Sequence, residues 1–85
     1  MSLQILRLPK VIENTGLARS TIYLRIEQGL LPKPVSLGGK AVGWPATEIS
    51  QINAARIAGK SNEEIKNLVD ELENQRGKEK EIHHD

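Results

Sequence analysis

The sequence predicts a mainly α-helical domain with a small β-hairpin. Two short helical segments meet at a Thr-Gly-Leu turn, residues 15–17, and two strand-like segments meet at Gly38-Gly39. Two further helical segments follow Pro45 and Ser61. Two helices across a short glycine turn form a helix-turn-helix motif, and a hairpin after that motif forms a wing. The predicted fold is therefore a winged helix-turn-helix with an additional C-terminal helix.

Length and composition indicate one domain. A chain of 85 residues without cysteine has a small core and no disulfide to reinforce it. We assign residues 1–60 to the winged helix-turn-helix domain, residues 61–76 to an amphipathic C-terminal helix, and residues 77–85 to a charged, disordered tail. The aromatic residues are Tyr23 and Trp44, so the core must consist of aliphatic side chains.

Charge is distributed unevenly along the chain. Residues 1–45 carry six basic and two acidic side chains, a net charge of +4, whereas residues 46–85 carry six basic and nine acidic ones, a net charge of −3. A basic first half indicates contact with an anionic polymer, and the simpler alternative is chance asymmetry in a small protein.

The first helix is predicted to begin at Pro9, because proline lacks the N–H that would be unpaired in the first turn. Leu8, Val11 and Ile12 have i, i+3, i+4 spacing and should face the core. Gly16 ends the helix, since glycine adopts positive φ without a Cβ penalty.

The second helix is predicted from Arg19 to Gln28, and Gly29 ends it. Ile22 and Ile26 lie one turn apart and should face the core. The outward face then carries Ser20, Leu24, Glu27 and Gln28, and the flanks carry Arg19, Thr21, Tyr23 and Arg25. An outward leucine suggests contact with a thymine methyl group or a partner protein, although single exposed leucines are common.

The second helix has no evident N-terminal cap. The expected cap position holds Ala18, which has no side-chain oxygen to accept a backbone N–H, at a cost of about 1 kcal/mol. Either the helix boundary lies one residue away or another group, such as Thr15, supplies the acceptor.

The wing is predicted from strands over residues 33–37 and 40–44. Gly38-Gly39 forms the turn between them, because two-residue hairpin turns need positive φ. A hairpin of two strands is not stable alone, so we predict that Trp44 anchors the wing to the helices. Ile5-Leu6 either forms a first strand or packs under the first helix.

A third helix is predicted over residues 46–58, with Ile49 and Ile52 inward and either the Arg56 stem or Ile57 beside them. Ser61 then begins a fourth helix with a capping box, Ser followed three residues later by Glu. The apolar stripe of that helix consists of Ile65, Leu68, Val69 and Leu72. This stripe either packs back onto the domain or forms a homo-oligomer with the same helix of a second copy.

No catalytic, cofactor or metal site is predicted. The absence of cysteine excludes a thiol nucleophile and a Cys-rich zinc site. His83 and His84 are adjacent in the charged tail, where solvation explains them better than metal binding does. No apolar run approaches the roughly 20 residues of a membrane span, and we expect a cytoplasmic protein that is not an enzyme.

Residues 7–11, 15–23 and 31–44 resemble the AlpA family of prophage regulatory proteins. They read Arg-Leu-Pro-x-Val, Thr-Gly-Leu-x-Arg-Ser-Thr-Ile-Tyr and Leu-Pro-Lys-Pro-Val-x-Leu-Gly-Gly-Lys-Ala-Val-Gly-Trp. The resemblance implies a winged helix-turn-helix related to MerR-type DNA readers and phage excisionases. Members regulate transcription of prophage genes or act as recombination directionality factors. Ala18 departs from the family, whose members often have serine there.

We therefore predict a sequence-specific, double-stranded DNA-binding regulator of a prophage or integrative element, acting on transcription, on excision or on both. The predicted DNA-binding residues are Arg19, Ser20, Thr21, Tyr23, Leu24, Arg25, Lys33, Gly39 and Lys40. Basic side chains would neutralise phosphates, and polar ones would contact phosphates or base edges. Further expected partners are an integrase or RNA polymerase. The alternative is a protein-protein interaction module of the same fold without DNA binding.

Overall fold

The computed structural model describes residues 3–82, and the side chains of residues 3–76. Three strands and four helices follow one another in the order β1 (Ile5–Leu6), α1 (Leu8–Thr15), α2 (Arg19–Glu27), β2 (Val35–Gly38), β3 (Ala41–Pro45), α3 (Ala46–Ile57) and α4 (Asn62–Ile82). One apolar cluster holds these elements together, with members from α1, α2, β3, α3 and α4. The predicted winged helix-turn-helix with an additional C-terminal helix is confirmed.

The helix-turn-helix depends on Gly16, which has a φ of 72° and follows the last residue of α1. Val11 is fully buried, and Leu8 and Ile12 pack against the core from the same side of α1. In α2 the buried residue is Ile22. The spacing that predicted the inward faces of both helices is therefore confirmed.

The start of α2 has no side-chain cap. Ala18 occupies the N-cap position with extended backbone angles. The Thr15 hydroxyl accepts a hydrogen bond from the Leu17 N–H at 3.2 Å and donates to the Val11 carbonyl at 2.7 Å. Thr15 therefore closes the turn and does not cap α2, so the first N–H groups of α2 keep no side-chain acceptor.

The wing is part of a three-stranded antiparallel sheet with the order β1-β3-β2. Ile5 and Leu6 pair with Pro45 and Trp44, so the strand alternative for this segment is correct. The turn of the hairpin was predicted at Gly38-Gly39. Gly38 instead pairs with Ala41, which leaves residues 39 and 40 as the turn. The pairing shifts by one residue between Ser36 and Gly38, and this bulge moves Lys40 from beside the tip to the tip itself.

Trp44 anchors the wing as predicted. Its side chain is fully buried in the core, and its indole N–H donates a hydrogen bond to the Pro32 carbonyl at 2.9 Å. A buried indole N–H needs such a partner. This bond joins β3 to the segment that connects α2 with β2.

In α3, Ile49 and Ile52 are buried, as their spacing predicts. The suggestion that Ile57 turns inward is wrong, because this side chain is 87% exposed. Ile57 is the last residue of α3 and lies beyond the part of the helix that packs on the core.

The apolar stripe of α4 packs back onto the domain. Ile65, Val69 and Leu72 are buried, and Leu68 packs against the same cluster. Of the two predicted alternatives, packing onto the domain describes this structure, because these side chains cover the chain's own core. The helical backbone continues to Ile82, beyond residue 76, since the Lys and Glu residues after Gly77 favour helix without an apolar stripe. Residues 83–85 of the predicted tail lie outside the described residues.

One buried ion pair, which the spacing of residues does not reveal, joins α3 to α4. The Arg76 guanidinium donates to both carboxylate oxygens of Glu48, at 2.9 and 2.6 Å, and also to the Lys33 carbonyl at 2.9 Å. Glu73 accepts the Lys33 N–H at 2.9 Å. Hydrogen bonding to Glu48 raises the pKa of Arg76 above its ordinary value. The Glu73 and Arg76 side chains of α4 thus bind the backbone N–H and the backbone carbonyl of Lys33, at the base of the wing.

Replacing Arg76 by methionine should lower the free energy of unfolding by about 1–3 kcal/mol. The estimate lies between the effects of breaking an exposed and a fully buried ion pair, because Glu48 is buried while Arg76 is partly exposed. Urea denaturation measures the change, and Lys66→Met on the exposed side of α4 is the control. Equal stability of the two variants would contradict a structural role for the pair.

Gly43 is required because atoms of the paired strand β1 lie directly against it. A Cβ atom there would lie 2.5 Å from Ile5 Cγ2 and 3.1 Å from the Leu6 carbonyl oxygen. Gly43→Ala should therefore destabilise the protein by about 1–3 kcal/mol, as overpacking does. Ile5→Ala removes the nearer atom, so the double variant should recover part of this loss in a double-mutant cycle. If the two substitutions changed the free energy of unfolding in a strictly additive way, the contact between Ile5 and a side chain at position 43 would be unimportant.

The capping box of α4 predicts a pH dependence. The Ser61 N–H donates to the Glu64 carboxylate at 2.9 Å, and the Glu64 N–H donates to the Ser61 hydroxyl at 3.2 Å. The backbone hydrogen bond from Ser61 lowers the pKa of Glu64 below its ordinary value of 4.5. A lowered pKa in the folded state stabilises the protein above the unfolded-state value, and this contribution disappears as the pH falls through the folded-state value.

Glu64→Gln should therefore reduce stability near neutral pH and have a smaller effect at an acidic pH below the lowered folded-state pKa, where the carboxyl group is protonated. Thermal unfolding at both pH values measures the difference. Glu63→Gln removes the same charge from the same helical turn and serves as the control. A Glu64→Gln effect that persists undiminished in acid would contradict the role of the carboxylate.

Candidate nucleic-acid interface

The exposed face of α2 carries most of the predicted DNA-binding residues. Arg19 and Ser20 are exposed in its first turn. Tyr23 and Leu24 are 45% and 50% exposed one turn later. Ser20 and Leu24 project away from Ile22, and Arg19 and Tyr23 lie on the adjoining flank, because successive side chains are rotated by about 100° around the helix. α2 therefore presents a basic group, two hydroxyl groups and one apolar side chain on its accessible side.

Thr21 and Arg25 differ from the other predicted residues of α2. Both are half-buried. Arg25 lines a groove of about 420 Å³ between the helix-turn-helix and the C-terminal half of α3. The predicted residues of α2 thus divide into an exposed set and a partly covered pair.

The wing presents Lys40 at its tip, beside Gly39, and both residues are exposed. Gly39 has a φ of 57°, which permits the tight turn. Lys33 lies far from the tip along the hairpin. Its backbone is bound by Glu73 and Arg76 of α4, so its exposed side chain leaves from the base of the wing.

The interface residues sit on elements that share one core. Ile22 of α2 and Trp44 of β3 belong to the same buried cluster. A rigid core therefore sets the positions of the α2 face and the wing relative to each other.

The positive charges of this surface are not neutralised within the part of the chain whose side chains are described. Among residues 3–76, the ion pairs join Lys10 to Glu13 and Arg76 to Glu48. None of the four predicted DNA-contacting cations takes part in either pair. These cations are Arg19, Arg25, Lys33 and Lys40. The surface can therefore attract an anion without first breaking an internal salt bridge.

Arg56 is a further basic residue of this region that the sequence did not assign to the site. It lies in the last turn of α3 and lines the same groove as Arg25. Burial and the nearby charge of Arg25 lower the pKa of Arg56 below its ordinary value. No spacing in the sequence links the two residues, because their proximity depends on how α2 and α3 pack.

Other site types find no support in the described part of the chain. Within it, no group of three or more His, Cys, Asp or Glu side chains is arranged to hold a metal ion. None of the described helices is both long enough and apolar enough to cross a membrane.

Comparison with known proteins identifies relatives of this chain. Uncharacterized protein ORF88 of Enterobacteria phage P4 is 49% identical over 57 residues, which cover 67% of this chain and 65% of the phage protein, just under two-thirds of its length. The DNA-binding transcriptional activator AlpA of Escherichia coli K12 is 43% identical over 56 residues, covering 59% of this chain and 80% of that protein. The chain matches no solved structure.

The family match includes every element of the interface. The model of the family described as Prophage CP4-57 regulatory protein (AlpA) matches residues 4–57, from β1 to the end of α3. This range contains the helix-turn-helix and the wing and covers well over half of the 85 residues. The chain belongs to the AlpA family of prophage regulatory proteins.

Proposed function

We propose that this protein binds double-stranded DNA sequence-specifically, with α2 in the major groove and the wing on the adjacent minor groove or backbone. The observation that carries this proposal is the exposed α2 face of Arg19, Ser20, Tyr23 and Leu24, with Lys40 at the wing tip. A helix of this diameter fits the major groove of B-form DNA. The role is one of binding and not of catalysis.

Affinity and specificity would come from different side chains. Phosphate contacts by Lys33 and Lys40 supply affinity that does not depend on sequence. Arg19 can donate two hydrogen bonds to guanine, a contact worth about 1–3 kcal/mol of discrimination. Leu24 can contact a thymine methyl group, which explains why an apolar residue lies among the polar ones.

The biological role would be regulation of a prophage or integrative element in the cytoplasm. One relative is named a DNA-binding transcriptional activator, which supports a role in transcription. An excisionase-type role uses the same physics, because copies bound at adjacent sites bend or bridge DNA. RNA polymerase would be the partner in the first role and an integrase in the second.

A protein-protein interaction module is the second candidate. It is favoured by Tyr23 and Leu24, which are about half exposed on one face of α2. Tyrosine is enriched at protein interfaces. The same two residues thus serve either proposal, and DNA titrations distinguish the two.

Selection from random double-stranded DNA should recover a preferred sequence. Titration of the wild-type protein with that duplex should give a log–log salt slope near −3.6 if about four phosphates are neutralised. Arg19→Ala should reduce discrimination between the selected and an unrelated duplex by about 1–3 kcal/mol. Fluorescence anisotropy at several salt concentrations measures both quantities.

Lys66→Ala is the matched control, because it removes an exposed positive charge from α4, outside the proposed interface. It should change neither the discrimination nor the slope appreciably. A protein that selects no sequence and whose weak binding is insensitive to Arg19→Ala would refute the DNA proposal and favour the interaction module.

A further inference from the structure

Two arginines from different helices line the groove beside α2. Arg25 comes from the last turn of α2, and Arg56 comes from the last turn of α3. The groove that both line is closed below by apolar side chains, including Leu31 and Ile52, which belong to the core. The two guanidinium groups are therefore the charged groups of this groove.

No carboxylate lies among the residues that line the groove. Among the side chains of residues 3–76, the hydrogen-bond partner of the Arg56 guanidinium is the neutral Asn62 amide oxygen, at 3.3 Å. Neither arginine joins an ion pair within that part of the chain. Two like charges thus lie near each other without an acidic neighbour to balance them.

The amide and hydroxyl groups around the arginines are already engaged. The Asn53 amide donates to the Asn14 carbonyl at 2.9 Å, and the Asn14 amide donates to the Lys10 carbonyl at 2.7 Å. The Thr15 hydroxyl donates to the Val11 carbonyl. Each asparagine amide keeps a second N–H, but these groups are neutral, so the positive charge that would hold an anion in this groove comes from the guanidinium groups.

Two unpaired guanidinium groups that line one groove favour the binding of an anion between them. Like charges repel in the free protein, and no carboxylate in the lining of the groove offsets this repulsion. Partial burial of the guanidinium group, and after it the charge of Arg25, lower the pKa of Arg56. One anion between the two groups would replace repulsion by two attractions, and guanidinium groups bind phosphate oxygens with matching geometry.

We propose that Arg25 and Arg56 together hold one phosphate group of the DNA backbone at the flank of α2. The inference rests on the proposed function, since it takes α2 to lie in the major groove. Arg25 is on that same helix, one position from Leu24 of the exposed face, so a backbone strand bordering the groove of the DNA passes this flank. A third element, α3, thereby joins α2 and the wing in the interface.

The test is the salt dependence of binding to the duplex selected by the wild-type protein and to an unrelated duplex of equal length. Arg56→Gln should weaken binding to both duplexes by the same factor, roughly tenfold. The double variant Arg25→Gln/Arg56→Gln should reduce the magnitude of the salt slope by about 0.9, the value for one phosphate. A reduction of about 1.8 would instead indicate two separate phosphates and overturn the shared site.

Arg56→Lys retains the charge and should keep the wild-type slope, but should recover only part of the affinity that Arg56→Gln loses, because lysine cannot form the forked contact. Lys10→Gln is the control of equal charge change, since Lys10 is already paired with Glu13 at 3.4 Å. Thermal unfolding of each variant identifies any loss of fold, and Arg56→Lys keeps the proposal testable if Arg56→Gln unfolds.

The outcomes separate this inference from the proposed function. If the wild-type protein binds its selected duplex and Arg56→Gln leaves affinity and slope unchanged, the shared phosphate site is wrong while DNA binding stands. If the wild-type protein binds no duplex, the proposed function itself fails. Binding of an acidic peptide by the Arg25-Arg56 groove with no effect on DNA would also overturn the inference.

Discussion

The indole ring of Trp44 holds the wing and the helices in one rigid unit. It is fully buried within a cluster to which α1, α2, α3 and α4 all contribute. Its N–H group is paired with the Pro32 carbonyl, so the largest side chain of the core carries no unsatisfied polar atom. An aliphatic core of this size depends on such a ring, because the chain has no phenylalanine and no disulfide. This contact therefore maintains the relative positions of α2 and the wing.

α4 supports the elements that carry the candidate interface, although it contributes none of the predicted DNA-binding residues. Its apolar stripe completes the core, and its Glu73 and Arg76 side chains bind the backbone of Lys33. The Glu48–Arg76 pair then connects this helix to α3. The base of the wing is therefore held from two directions, which limits how far its tip can move relative to α2. The helix that the sequence suggested for self-association acts as a support within one chain.

Charge pairing inside the fold determines which cations remain for a partner. Arg76 and Lys10 are paired with carboxylates, while the basic groups of α2 and of the wing tip have no such partner among the described side chains. Arg56 joins this unpaired group through the packing of α3 against the helix-turn-helix. An unneutralised set on adjacent elements suits a polyanion, because each contact releases counterions from it.

The sequence by itself determined the elements and their inward faces. Gly16 and Gly29 mark the helix ends, the spacing of Ile22 and Ile26 orients α2, and the motif around Trp44 identifies the family. These features are local, because glycine conformation and helical periodicity depend on a few neighbouring residues.

Only the tertiary structure decided the features that join distant segments. It added β1 to the sheet, buried the α4 stripe, paired Glu48 with Arg76, and brought Arg56 beside Arg25. It also moved the hairpin turn by one residue, since strand register depends on pairing across the sheet. Each of these contacts joins residues far apart in the chain or depends on how two elements pair. The spacing of neighbouring residues does not predict such tertiary contacts.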